Sequence, residues 1–226
     1  MRLAALFSGG KDSTYALFLA SKTHEIKYLV TIFPESKESW MFHHPCIELT
    51  SLQAKAMRIE QIIQKTKGEK EKELEDLKKA LERIKNEIDG VVSGAIQSEY
   101  QKTRIDRICK ELKLKSLAPL WHRDAEQLLK EEIEEGFEII MTGVFAEGLD
   151  ESWLGRKIDL KTVEELKELK KKYGINLAGE GGEFETLVLD CPLFEKKIEI
   201  LEAEKIWDGE TNSGYLIVKS ARLISK

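Results

Sequence analysis

The chain of 226 residues predicts an α/β fold: a doubly wound parallel sheet over residues 1–143, then a smaller mixed α+β domain over 144–226. Three observations carry that expectation. Short apolar runs at 3–7, 27–33 and 90–96 alternate with helix-spaced segments, the pattern of parallel strands covered by helices. A glycine turn stands between the first run and the apolar-rich segment 14–20, where a strand hands over to a helix. Beyond about residue 143 the alternation gives way to a helix near 162–172, a glycine-rich turn, and strand-like runs at 186–189, 197–201 and 215–224.

The turn after the first strand reads Ser8-Gly9-Gly10-Lys11-Asp12-Ser13. Two glycines let the backbone fold tightly with N–H groups pointing inward. The helix that starts there adds partial positive charge, so the turn suits a phosphate or pyrophosphate. Lys11 supplies a full charge, the hydroxyls of Ser8 and Ser13 supply further donors, and Asp12 either caps the helix or holds a magnesium ion against phosphates. The commoner phosphate loop, G-x-x-x-x-G-K-[ST], does not fit, because position 5 is Ala5 and Lys11 is followed by Asp12.

The run 27–33 makes the second strand. Residues 67–89 are densely charged, with leucines and isoleucines at 74, 77, 81, 84 and 88 in one narrow stripe. This is a solvated surface helix, with a partner-binding role as the alternative. The third strand ends in Ser93-Gly94-Ala95-Ile96 and the segment 97–104 opens a helix, which places Gly94 beside the phosphate loop. A glycine there lets a nucleotide approach the backbone, and Arg104 and Arg107 share a helix face suited to phosphate or carboxylate; a plain strand exit with a charged surface helix is the alternative.

A fourth run lies near 117–120. Leu120-Trp121-His122-Arg123-Asp124 follows it on the same edge, where Trp121 either stacks on a base or fills the domain interface. A fifth run, 137–142, follows a helix at 125–135 and is read as the last strand of the first domain. In such sheets ligands sit beyond the carboxyl ends of the strands, where the loop 8–13 falls, and a cleft between the domains is the expected place for a second substrate. The second sharp motif is Gly179-Glu180-Gly181-Gly182-Glu183-Phe184-Glu185-Thr186. Its glutamates suit magnesium, an ammonium ion or a trimethylammonium group, and Glu183 or Glu185 can take a proton from an attacking amine; solvent-facing glutamates are the plain alternative.

Composition bounds the rest. A formal net charge of −5 argues against a long polyanion as main partner, with a local basic groove as the alternative that a net value leaves open. No apolar run approaches 18 residues and the N-terminus enters a strand directly, so neither a membrane nor a signal sequence is expected. Cys46, Cys109 and Cys191 lie far apart with no C-x-x-C pair, which points away from zinc, clusters and redox catalysis and toward a reduced cytoplasm. His43 and His44, before Pro45 in a loop after Trp40, read as surface or cleft histidines rather than metal ligands.

The loop 8–13 resembles the PP-loop of the ATP pyrophosphatases, which split ATP between its α and β phosphates. Together with Ser93-Gly94-Ala95-Ile96 and its Tyr100…Arg104 follow-on, with residues 120–124, with Leu154-Gly155-Arg156, and with 179–194 through Cys191-Pro192-Leu193-Phe194, it makes nearly the whole chain resemble the diphthine–ammonia ligase family. The resemblance implies an N-terminal adenine-nucleotide alpha-hydrolase-like (HUP) domain and a C-terminal domain that shapes the substrate cleft. It implies ATP and Mg2+, ammonium, and translation elongation factor 2 as protein substrate, whose diphthine becomes diphthamide through an acyl-adenylate with release of AMP and pyrophosphate. It also implies roles by position. Ser8, Gly9, Gly10, Lys11, Asp12, Ser13, Thr31, Ile32, Phe33, Ser93, Gly94 and Arg104 hold the nucleotide, with Asp12 on the metal. Tyr100, Trp121, Arg123, Glu180, Gly181, Gly182 and Glu183 face the second substrate, and Lys11, Asp12, Glu183 and Glu185 are catalytic.

Two other readings stay open: another PP-loop enzyme, such as a tRNA-modifying ligase or thiolase, and a nucleotide-binding sensor without turnover. Thiolation goes with catalytic cysteines, which the scattered cysteines do not supply, and a tRNA substrate predicts a basic face, so direct nucleic-acid contact is not expected. The oligomeric state stays open, a homo-oligomer included.

Overall fold

Leu3, Ala4 and Ala5 have no exposed surface, as befits a strand covered on both faces of a parallel sheet, and they form the centre of β1 (Arg2–Leu6). The computed structural model describes residues 1–34, 46–67 and 72–226. By contact the chain divides into two units, one of Met1–Ser8 with Asp12–His122, the other of Gly9–Lys11 with Arg123–Lys226. His43 and His44, with Trp40 and Pro45, lie outside the described residues, as do residues 68–71 of the charged run.

In the first unit β1 is followed by α1 (Lys11–Ser21), β2 (Glu25–Pro34), a 3₁₀ turn at Ile47–Leu49, α2 (Thr50–Met57), β3 (Glu60–Thr66), α3 (Lys72–Ile84), β4 (Gly90–Val92), α4 (Glu99–Leu112) and β5 (Lys115–Leu117). The strand order is β3-β2-β1-β4-β5 and every pairing is parallel. The chain therefore winds outward from β1 in one direction and then, from β4, in the other. The carboxyl ends of β1 and β4 flank the switch point, where sheets of this kind open a ligand crevice.

The stripe expected at 74–88 is the sheet-facing side of the crossover helix between β3 and β4. Leu77, Leu81, Ile84 and Ile88 are buried with Tyr28, Val30 and Ile32 of β2, Val91 of β4 and Ile105, Ile108 and Cys109 of α4, while Leu74 packs at the margin. The opposite face of α3 carries the charge, so the helix is solvated on one side only. Strand β3 and helix α2 were not expected from the sequence. As an edge strand β3 needs few apolar positions, and its Glu-Gln-Ile-Ile-Gln-Lys-Thr carries two.

The second unit contains α5 (Ala125–Glu134), β6 (Glu138–Val144), α6 (Leu160–Tyr173), β7 (Phe184–Asp190), β8 (Lys196–Asp208) and β9 (Ser213–Ser225). Its sheet has the order β7-β6-β9-β8 and is antiparallel throughout. The run 137–142 is therefore not a fifth parallel strand: β6 pairs Ile140 with Leu187 and Val144 with Gly214. The division falls between His122 and Arg123, earlier than the expected 143/144 boundary. An uninterrupted apolar run reports burial on both faces but not the partner strand, which is why the sequence placed this strand in the wrong sheet. Among the described residues no helix is long and apolar enough to cross a membrane.

Because Leu81 is fully buried against the sheet, Leu81→Ala is expected to cost about 2–5 kcal/mol in urea unfolding, whereas Glu82→Ala on the exposed side stays within roughly 0.5 kcal/mol. Equal losses at the two positions would show that α3 does not cover the sheet.

Candidate functional site

The turn after β1 has the shape its sequence requires. Gly9 has φ +81°, a left-handed value that a side chain would strain, and α1 begins at Lys11 with Asp12 in its first turn. Ser8 and Ser13 bring their hydroxyl oxygens to 3.1 Å, and the Ser8 amide donates to Ser13 Oγ at 3.3 Å. Both side chains and that of Asp12 are half-buried. The start of α1, with these hydroxyls, has the donors and the dipole for a phosphate group.

Gly94 lies beside that turn, where the sequence placed it. A Cβ placed on it would stand 2.7 Å from the carbonyl carbon of Asp12 and 2.7 Å from the amide nitrogen of Ser13. The close approach is between backbone and backbone, and it wedges the exit of β4 against the first turn of α1. Ser93 is buried and its amide bonds to the Leu117 carbonyl at 2.9 Å.

The end of β2 leaves a backbone edge beyond the last pairing with β1. Pairing with β1 runs only to Leu6–Val30, whereas pairing with β3 continues to Pro34–Thr66. The Phe7 amide donates to the Val30 carbonyl, so by the two-residue alternation of a strand the N–H and C=O of Ile32 face the same side, beyond the end of β1. The side chain of Thr31 is committed elsewhere: its hydroxyl donates to the Phe7 carbonyl at 2.8 Å and accepts from Gln61 Nε2 at 2.9 Å. Gln61 also reaches Thr50 Oγ1 at 2.9 Å, tying β3 and α2 to the end of β1. Phe33 is half-buried.

On α4, Arg104 stacks its guanidinium 3.5 Å from the centre of the Tyr100 ring and donates weakly to the Tyr100 carbonyl at 3.4 Å, while Arg107 pairs with Glu111 at 3.0 Å. The two arginines therefore face different partners. Trp121 lies 4.5 Å from the His122 ring and 5.3 Å from the Lys102 ammonium. Arg123, expected on the second substrate, places one guanidinium nitrogen 2.6 and 2.7 Å from the two carboxylate oxygens of Glu131 in α5.

In the second unit Gly9–Lys11 meets β7 and the turn that precedes it. The Gly9 carbonyl accepts from the Val188 amide at 3.0 Å, the Lys11 amide donates to Thr186 Oγ1 at 3.1 Å, and the Lys11 ammonium, with 2 % of the residue exposed, donates to the Ala178 carbonyl at 2.8 Å. The glycine–glutamate motif is a folded turn rather than an open ring of carboxylates. Gly179 and Gly182 have φ of +76° and +83°, and the Gly182 amide closes onto the Gly179 carbonyl at 3.1 Å. Glu183 turns back on this turn, accepting the Asn176 amide on Oε1 at 2.9 Å and lying against Gly181, where a Cβ would come within 2.6 Å of Oε1.

Glu185 stands apart from Glu183. Its Cβ is 3.1 Å from where a Gly143 side chain would begin, opposite a bulge in β6, and the Tyr215 ring packs on Phe145 at 5.0 Å between centroids. Burial first and the nearby Glu185 carboxylate second push the Tyr215 phenol above its ordinary range. Asn176, Ala178, Phe145 and Tyr215 were not singled out in the sequence, since their partners lie far along the chain; the Asn-x-x-Gly start of the glycine turn was the available signal.

A magnesium ion fits this chemistry. Asp12, half-buried in the first turn of α1 beside the hydroxyls of Ser8 and Ser13, would be its protein ligand, with phosphate oxygens and water completing the shell. All three cysteines are buried, and burial pushes the thiols of Cys109 and Cys191 up to about 11 and about 12, so neither is a thiolate near neutral pH.

Two experiments check this geometry. Gly94→Ala is expected to cost about 1–3 kcal/mol in unfolding, as overpacking against a backbone does; an unchanged midpoint would show that α1 and the β4 exit are not wedged together. Glu185→Gln removes a negative charge that disfavours phenolate, so the Tyr215 titration, followed by ultraviolet absorbance against a Tyr215→Phe control, should move down while staying above its ordinary range because burial persists. No movement would separate Glu185 from Tyr215.

Comparison with known proteins agrees with this layout. Residues 1–116 match the family model described as diphthamide synthase N-terminal domain, and residues 124–224 match that of the diphthamide synthase C-terminal domain. The chain is 37% identical over 229 residues to a human protein named diphthine–ammonia ligase, covering 91% of this chain and 85% of that one. It is 36% identical to the zebrafish protein of the same name, over 91% and 89% of the two chains. The fission yeast protein of that name is 34% identical over 97% of this chain, which spans 39% of its length. A solved structure titled as a predicted subunit of tRNA methyltransferase from Methanocaldococcus jannaschii shares 17% identity at a TM-score of 0.46, over 85% of this chain and 98% of that one, too slight a likeness to bear on function. With both halves matched and close to its whole length aligned to proteins named as ligases, the chain belongs to the diphthamide synthase family.

Proposed function

We propose that the chain joins ammonia to the carboxylate of diphthine on translation elongation factor 2, using ATP and giving diphthamide, AMP and pyrophosphate. The observation that supports this most directly is the loop 8–13 at the switch point of a parallel sheet, with Ser8, Asp12, Ser13 and the start of α1 brought together, in a chain of the diphthamide synthase family.

The carboxylate oxygen of diphthine attacks the α-phosphorus of ATP. The bond to the β-phosphate oxygen breaks, pyrophosphate leaves, and an acyl-adenylate forms. Ammonia then attacks the acyl carbon, the bond to AMP breaks, and the proton shed by nitrogen passes to a carboxylate. Ser8, Gly9, Gly10 and Ser13 bind the β and γ phosphates through amides and hydroxyls, and Lys11 supplies charge to the phosphates. Asp12 would hold a magnesium ion, which when bound neutralises phosphate charge. Adenine lies along the backbone at Thr31, Ile32 and Phe33, with Ser93, Gly94 and Arg104 on the nucleotide side.

Residues 123–226 handle the second substrate. Glu185, beside the Phe145–Tyr215 ring pair, combines a carboxylate with aromatic faces, a setting suited to a quaternary ammonium group or to taking a proton from ammonia. Glu183 acts through the turn it holds, with Glu180, Gly181 and Gly182 forming that turn; Tyr100 and Trp121 are assigned to the protein substrate. Arg123 is assigned there only after it leaves Glu131. No nucleophilic side chain is required, in keeping with buried, protonated thiols at Cys109 and Cys191.

Incubation with ATP, Mg2+, ammonium and diphthine-bearing elongation factor 2 is expected to release AMP and pyrophosphate in a factor- and ammonium-dependent way, with the mass loss of acid-to-amide conversion. Asp12→Asn should lower turnover at least about tenfold. AMP release without amidation would indicate another acceptor, and bound, intact ATP would indicate a sensor.

A further inference from the structure

We infer that Asn176 is a positioning residue that aims the Ala178 carbonyl at the Lys11 ammonium. Three bonds pin Asn176 and its neighbours. Its amide donates to Glu183 Oε1 at 2.9 Å, its side-chain Oδ1 accepts the Ala178 amide at 2.9 Å, and its carbonyl accepts the Gly179 amide at 3.0 Å. The last two fix the peptide planes on both sides of Ala178. In the trans peptide between Ala178 and Gly179 the C=O and N–H point in opposite directions. With the N–H held on the Asn176 carbonyl, the Ala178 C=O is directed away from the turn, and it meets the Lys11 ammonium at 2.8 Å. Gly179 permits this, since its φ of +76° excludes a side chain and a Cβ there would lie 2.9 Å from the Phe184 carbonyl.

The relay therefore runs from the Glu183 carboxylate through Asn176 to Ala178 and then to the loop lysine. An ammonium with 2 % of its residue exposed needs oriented acceptors to stay charged, and a carbonyl whose plane is fixed at both ends is such an acceptor. The geometric inference stands on these bonds alone. Its consequence for nucleotide affinity rests on the proposed reading of loop 8–13 as an ATP site.

Two readouts test it. The first is the rate of Lys11 acylation by an amine-reactive anhydride, followed by peptide mass spectrometry with the other lysines as controls. Lys11 should be protected in the wild type, label about fivefold faster in Asn176→Ala, and regain protection in Asn176→Asp, which keeps the acceptor. The second is ATP affinity by calorimetry in a double-mutant cycle. Lys11→Met and Asn176→Ala should each weaken binding, Asn176→Asp should recover it to within about twofold, and the double variant should bind no more weakly than Lys11→Met alone. A purely structural role would make the two losses multiply. Multiplying losses, or Lys11 equally protected in Asn176→Ala, overturns the inference. Should Asn176→Ala fail to fold, Asn176→Ser, whose hydroxyl makes only the weaker form of this turn, carries both comparisons against Asn176→Asp. A wild-type protein that binds no ATP would refute the proposed function, and the labelling comparison would still decide the relay.

Discussion

The middle of the phosphate loop depends on the seam by which Gly9–Lys11 is bonded to the glycine turn and β7. A glycine-rich phosphate loop is entropically expensive to hold in one shape, because glycine loses more freedom on ordering than any other residue. Here the middle of the loop has partners within the protein. Gly9 and Lys11 are paired with Val188 and Thr186, and the charged end of Lys11 is met by Ala178. Fixed protein partners of this kind lower the ordering cost of binding at such a loop.

That seam also explains why two motifs far apart in sequence belong to one device. The glycine–glutamate segment reads from its composition as a cluster of carboxylates. In three dimensions its carboxylates part company. Glu183 serves the turn by bonding to Asn176, and Glu185 stands against Tyr215 on the strand beyond. Residues two apart on a strand share a face, yet these two do different work because Glu183 precedes β7 and still belongs to the turn.

The sequence made the first sheet legible as far as apolar runs could carry it. β1, β2 and β4 are buried on both faces and announce themselves; the turn at 8–13 was located by its glycines between a strand and a helix, and Gly94 beside it by the end of a strand. β3 was invisible because an edge strand tolerates glutamine and lysine. β6 was visible and misassigned, since apolar character says that a strand is covered and leaves its neighbours to long-range pairing. The same limit hid the partners of the site. The hydroxyl of Thr31, at the strand end where adenine was expected against the backbone, is a strut between the Phe7 carbonyl and Gln61, and Asn176 carries no signal beyond its place before a glycine.

The allotment of three loop residues to the second unit bears on how such a chain can be inherited. Residues 9–11 are encoded early, yet their partners Ala178, Thr186 and Val188 are encoded more than a hundred positions later. A recombination event that joined the first half to a foreign C-terminal half would transmit every letter of the loop and lose its bonds to Ala178, Thr186 and Val188. The loop's letters and the loop's bonded shape are thus inherited from two different stretches of the gene.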